Sequence, residues 1–131
     1  VEIEQVRDRD NFISLSDRVN KINELNPNLV ISLHINANAT LNASGIEAYV
    51  SEKNNNHLAS KEHAEKLVKA IANDNLKSRG VKPANFFILK NSKCPSVVLD
   101  LGFISNENDR NYITSEEGQK EIASNIIKSI Q

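Results

Sequence analysis

A single cysteine, Cys94, stands among the 131 residues, so no internal disulfide can form and no cysteine-rich metal site can be built from it. Placed just before Pro95 and an apolar run, it reads as a small core residue. No apolar stretch approaches the roughly 18 residues of a membrane span, and the first residues do not read as a secretory signal. Charge of one sign is lacking too. A net charge of -1 gives no electrostatic case for nucleic acid or for an anionic membrane surface. There is no glycine-rich phosphate loop, no serine-centred nucleophile elbow and no Cys-x-x-Cys pair. Repeats, low-complexity tracts and interdomain linkers are likewise absent. What remains is one domain, 39% hydrophobic and 25% charged, long enough for a single core.

Its centre of gravity is the stretch Leu29 to Asn38, an apolar run that closes on a histidine between small and amide side chains. Alternation along a strand puts Leu29, Ile31, Leu33 and Ile35 on one face and Val30, Ser32, His34 and Asn36 on the other. A run this apolar suits a strand covered on both sides by helices. Its polar groups gather at the carboxyl end, where sites sit in open α/β sheets. His34 is therefore the first candidate for chemistry.

Val1 to Val6 alternates apolar and charged and predicts a strand nearer the sheet's edge. Arg7-Asp8-Arg9-Asp10 is a charged turn. Ser14 or Ser16 can cap a helix whose stripe is Leu15, Val19, Ile22 and Leu25, stopped by Asn26-Pro27-Asn28. With the Leu29 strand this makes a βαβ unit. Ile46 to Ser51 predicts a strand with Glu47 and Tyr49 on one face. From Ser60 a helix is expected to about Lys77, with Ala64, Leu67, Val68, Ile71 and Ala72 inward, ended through Gly80. Phe86 to Leu89 reads as a short strand, and Val97 to Leu101 as a second buried one. Thr114 and Glu117 form a capping box ahead of a helix carrying Ile122, Ile126 and Ile130. The pattern is α/β, a mostly parallel sheet flanked by helices on both faces.

Asp100 repeats the geometry of His34, interrupting an apolar strand near its carboxyl end. A carboxylate there must be paired, hydrogen-bonded or open to a cleft. Parallel neighbouring strands would bring it to the same sheet edge as His34. The alternative, an aspartate binding amides of the Gly102 to Asn106 loop, stays open. His57 and His63 read as surface residues, and their spacing of six matches no helical metal pair. Asn36, Asn38 and Glu47 could position a substrate. From the residues alone the result is an α/β domain with a His/Asp cleft.

Several stretches in order resemble one family. They are Arg7-Asp8-Arg9-Asp10 with Phe12 to Leu15 and Arg18, Ile31 to Ala37, Gly45-Ile46-Glu47-Ala48-Tyr49, Arg79-Gly80-Val81-Lys82, Phe86 to Leu89, and Pro95 to Asn106. Together they resemble the zinc-dependent N-acetylmuramoyl-L-alanine amidases of bacterial cell-wall hydrolases and phage endolysins. The resemblance implies a mostly parallel sheet with flanking helices. It also implies peptidoglycan as partner and hydrolysis of the amide between N-acetylmuramic acid and the L-alanine of the stem peptide. One Zn2+ would be held by two histidines and a glutamate, with a further glutamate moving the proton. By motif position His34 would be the second zinc histidine, and Asp100 stands where the family usually has the catalytic glutamate. Location would be secreted or in the cell envelope.

Two departures accompany the resemblance. The family's usual first strand and helix, which supply the first zinc histidine and the zinc glutamate, have no counterpart here, and zinc needs about three protein ligands. Asp100 is one methylene shorter than glutamate. The expectations are therefore an amidase whose complete domain binds Zn2+, or a degenerate relative that binds peptidoglycan or a partner without cleaving it. Without its first strand the sheet should expose an edge, through which the chain could self-associate.

Overall fold

The computed structural model describes residues 1–131, and a four-stranded sheet runs through its middle. The strands are β1 (Val30–Asn36), β2 (Ile46–Val50), β3 (Ser78–Pro83) and β4 (Ser96–Phe103), in the order β1-β4-β2-β3. β1 runs parallel to β4 and β2 parallel to β3, while β2 and β4 are antiparallel. The helices are α1 (Leu15–Leu25), α2 (His57–Ile71), α3 (Phe87–Asn91), α4 (Glu107–Ile113) and α5 (Glu116–Ile130). The class is α/β with a mixed sheet, in agreement with the sequence.

Alternation decides which side of the sheet is core. Ile46, Ala48 and Val50 of β2 and Val97 and Leu99 of β4 are buried in one cluster with Ala64, Leu67, Val68 and Ile71 of α2 and Ile122 of α5. Each of these larger side chains contributes roughly 1.5–3 kcal/mol by leaving water. The residues between them, Glu47, Tyr49, Val98 and Asp100, necessarily face the other way. There α1 packs on α3 and α3 on β4, with Val19, Ile22 and Leu89 buried outside the main cluster. Cys94 is buried, as its neighbours suggested.

Polar side chains pin the loops. Asn54, itself buried, points its amide nitrogen at the carbonyls of Leu89 (2.8 Å) and Ser92 (3.0 Å). Ser60, fully buried within α2, accepts the amide of Ser96 at 2.9 Å and so fixes the start of β4.

The structure corrects several local expectations. Val1 to Val6 forms no strand, and Val1 and Ile3 are exposed, so the expected βαβ unit lacks its first member. Alternation alone cannot report whether a neighbouring strand is there to pair with. β1 is an edge strand, and helices do not cover both of its faces as expected. Leu33 and Ile35 are each 53% exposed. Ser14, not Ser16, caps α1 through the amide of Asp17, and Asn26 ends it at φ 48°.

α2 starts three residues before Ser60 and stops at Ile71, because Asn73 takes the amides of Asn75 and Leu76 on its side-chain oxygen. Local capping of this kind competes with continued helix. The chain from Ser78 is strand, and Gly80 is not a helix cap. The register jumps from Ile46↔Ser78 to Ala48↔Val81, so β3 carries one extra residue where Gly80 has φ 83°. That is a bulge, and glycine takes the left-handed conformation at little cost. Phe86 to Leu89 is not a strand, since Phe87–Asn91 forms the short α3. The cap of α5 is Ser115, which accepts the amide of Gly118. Thr114 instead closes α4, its hydroxyl donating to the carbonyl of Arg110.

Candidate functional site

The two registers of β4 line up one row of side chains. His34 of β1 is paired with Asp100 in the parallel ladder, and Asp100 with Glu47 of β2 in the antiparallel one. Directly paired residues project from the same face. The row therefore crosses three strands on the side away from α2. His34 is exposed, Asp100 half-buried and Glu47 buried, so the row runs from solvent inward.

Each member is held by a neighbour two residues along its own strand, or across the ladder. The Ser32 hydroxyl and His34 Nε2 share a hydrogen bond of 2.8 Å. Asn36 donates from Nδ2 to Asp100 Oδ2 at 3.4 Å while its Oδ1 accepts the amide of Ala37. Glu47 accepts hydrogen bonds from the Tyr49 hydroxyl and the Lys82 ammonium, and Arg79 Nε lies 3.5 Å away. Tyr49 in turn meets the Phe86 ring edge to face, centroids 5.4 Å apart.

These surroundings set the charges. Burial pushes Glu47 up, but hydrogen bonds from Lys82 and Tyr49, with the charges of Lys82 and Arg79, outweigh it and hold the carboxyl below its usual range. Tyr49 is pushed up to about 12 by burial and then by its bond to Glu47, so it stays a donor. Asp100 is raised, first by burial. The His34 imidazole pulls it down and the Glu47 carboxylate pushes it up. The row thus contains one firmly ionised carboxylate and one that holds its proton more readily. Separation of that kind is how paired carboxylates divide acid and base roles.

One buried group outside the row escaped sequence reasoning. Asp109 of α4 is fully buried and accepts from the Ser44 hydroxyl (2.7 Å), the Gly45 amide (2.9 Å) and the Phe103 amide (2.9 Å). It ties the entry to β2 and the end of β4 to one carboxylate. Gly45 has no room for a side chain, since a Cβ would stand 2.4 Å from the Lys77 carbonyl oxygen.

His34, Asp100, Glu47 and Asn36 are thus brought together. Asn38 is not. It is exposed, donating its amide to Ser105 Oγ and accepting that of Thr40. His57 and His63 lie on α2, behind the core face, and are half-exposed. Lys82 and Arg79 escaped as partners of Glu47 because Ser78 to Gly80 read as a helix end. Alternation did place Tyr49 beside Glu47. No three histidine, cysteine, aspartate or glutamate side chains of the chain converge to hold a metal. The residues present, with His34 as the one histidine in the row, do not by themselves fit a zinc centre.

Comparison with known proteins gives this geometry a context. The profile of the family N-acetylmuramoyl-L-alanine amidase matches residues 1–131. The uncharacterized protein YqiI of Bacillus subtilis is 34% identical over 128 residues, covering 95% of this chain and 60% of that protein. N-acetylmuramoyl-L-alanine amidase LytC of the same organism is 39% identical over 104 residues, covering 79% of this chain and 21% of that protein. The chain thus spans less than two thirds of the length of either. Among solved structures, the catalytic domain of the amidase CwlV from Bacillus (Paenibacillus) polymyxa var. colistinus superposes with a TM-score of 0.86. Its sequence identity is 27%, covering 98% of this chain and 70% of that one. The chain belongs to the N-acetylmuramoyl-L-alanine amidase family.

Proposed function

We propose that this chain forms the greater part of a peptidoglycan amidase site, acting on the amide between N-acetylmuramic acid and the L-alanine of the stem peptide. The observation that carries the reading is the His34–Asp100–Glu47 row at the carboxyl end of β1. In it Asp100 carries the proton to the leaving amine, being half-buried and raised. Glu47, fixed by Tyr49, Lys82 and Arg79, keeps the negative field constant while Asp100 changes charge. Asn36 orients the Asp100 carboxyl and can turn an amide hydrogen to the substrate. His34 is the residue of this chain offered to Zn2+, and a working site would take its other ligands from outside residues 1–131. Such a centre, were it complete, would polarise the scissile carbonyl. Action on the cell wall places the protein in the envelope or outside it. No helix is long and apolar enough to cross a membrane.

A second reading has its own support. The Asp100 side chain, one methylene shorter than glutamate, favours a relative that binds peptidoglycan without cutting it. Metal analysis and muropeptide digestion separate the two. A longer polypeptide that supplies a further histidine and glutamate should bind one zinc and release L-alanine amino termini, and residues 1–131 alone should do neither. A longer polypeptide that binds zinc weakly or not at all, and cuts nothing, would leave the binding reading standing.

The bare edge of β1 supports self-association. Its pairing with β4 uses Val30 N and Asn36 O, which leaves the polar groups of Ile31, Leu33 and Ile35 facing outward by alternation. Sedimentation of residues 1–131 should show mass rising above the monomer with concentration. Leu33→Lys should return it to monomer, because a lysine on an edge strand opposes strand addition. A monomer at every concentration would refute this part.

A further inference from the structure

The row does not stop at Glu47. The bulge in β3 sets Arg79 and Gly80 opposite Glu47, and the next pairing down sets Lys82 opposite Tyr49. Two cations therefore attend one carboxylate. The Glu47 side chain is 5% exposed, while those of Lys82 and Arg79 are 47% and 36% exposed. An ion pair built only to bury Glu47 would need one of them, and Lys82 with the Tyr49 hydroxyl already provides that partner.

We propose that Arg79 and Lys82 form a subsite for a carboxylate of the substrate peptide, placed along the sheet from Asp100. The inference rests on the peptidoglycan reading above and names what the site selects. Donor accounting supports it. An ammonium has three hydrogens and a guanidinium five. Lys82 gives one to Glu47, and Arg79 spends its own on Glu47 and on the Ser44 carbonyl at 3.3 Å. Several donors are left over on two half-open side chains. Arg79 is also held in place, its guanidinium 5.0 Å from the centre of the Phe103 ring. A cation fixed by stacking loses less freedom on binding than a free one.

Distance narrows the ligand. The backbones of Arg79 and Lys82 lie two strand spacings from β4, but their cationic heads lean back to Glu47, whose strand adjoins β4. The subsite therefore stands between about 5 and about 10 Å from Asp100 at about 4.8 Å per spacing. An extended peptide advances about 3.3–3.6 Å per residue. A carboxylate on the second residue after the cleaved bond, carried on its own side chain, reaches that far. The subsite therefore suits a peptide whose alanine is followed by an acidic residue, and disfavours one whose carboxylates are amidated.

The probe is N-acetyl-L-alanyl-D-glutamate, with its diamide as the uncharged control, titrated into the 131-residue chain by amide NMR. The diacid should shift amides of residues 79–82 and bind more tightly than the diamide, with the difference shrinking as salt is raised. Lys82→Gln should narrow the preference for the diacid over the diamide by about fivefold, the scale of a half-exposed charge pair. Lys82→Arg should keep the preference. Equal affinity for diacid and diamide, no response to the diacid, or an unaltered Lys82→Gln would each overturn the subsite. Binding is read without cleavage. Diacid preference with no hydrolysis in the longer polypeptide therefore sinks the amidase reading alone, and hydrolysis without diacid preference sinks the subsite alone.

Discussion

Asp109→Ala is expected to cost about 3–5 kcal/mol in equilibrium denaturation, the largest stability loss of any single polar substitution in this chain. The side chain is fully buried and satisfies two backbone amides and a hydroxyl. Each buried group left without its partner costs about 1–3 kcal/mol. Asp109→Asn keeps an acceptor oxygen but brings two hydrogens among donors, so it should lose roughly half as much. Amide exchange at Gly45 and Phe103 should accelerate in both variants, since both amides end on this one residue. A loss under about 1 kcal/mol for the alanine variant would show that the three donors have other acceptors.

Asp100→Ala is expected to lower muropeptide hydrolysis by about 10²–10⁴-fold in a polypeptide with a complete site, the usual yield of a positioned acid or base. The loss should fall on kcat, with KM little changed, because the group acts on the proton of the leaving amine and not on substrate binding. Asp100→Glu tests position separately. The natural carboxylate sits about an ångström back from where a glutamate would put it, and an error of that size costs up to about a hundredfold. The longer side chain should therefore raise kcat unless the Asn36 contact has moved the strand end to compensate. Unaltered hydrolysis in Asp100→Ala would remove this residue from the chemistry. It would leave the row as a structural charge network.

Strong periodicity was legible and partnership was not. The buried faces of α2 and α5 and the strands around Ile46 and Val97 follow from spacing alone, because burial on one face imposes it. His34 and Asp100 were legible for a related reason: each is a polar interruption at the carboxyl end of an apolar run. The errors cluster where a local signal was read without its tertiary setting. Gly80 looks the same in a helix cap and in a bulge, and the outcome was decided by β2 offering a ladder to Val81. Ser60 looks like a cap until Ser96 claims its hydroxyl. Asp109 gave no signal, being one more acid in the polar stretch Asn106 to Arg110. Its importance lies in three donors supplied by residues at positions 44, 45 and 103.

The pins at the two ends of β4 have a bearing on fidelity. Ser60 and Asn54 hold the segment that enters the strand, Asp109 holds Phe103 as it leaves, and the Ile104 amide reaches back to the Asn36 carbonyl at 2.8 Å. Leu99 and Leu101 flank Asp100. A slip of a single residue would present a leucine to the row and bury the carboxylate among hydrocarbons, yet it would also strip every one of those contacts at once. The anchors therefore serve as a proofreading device for the strand, rejecting the one misalignment that would leave the fold plausible and the site blank.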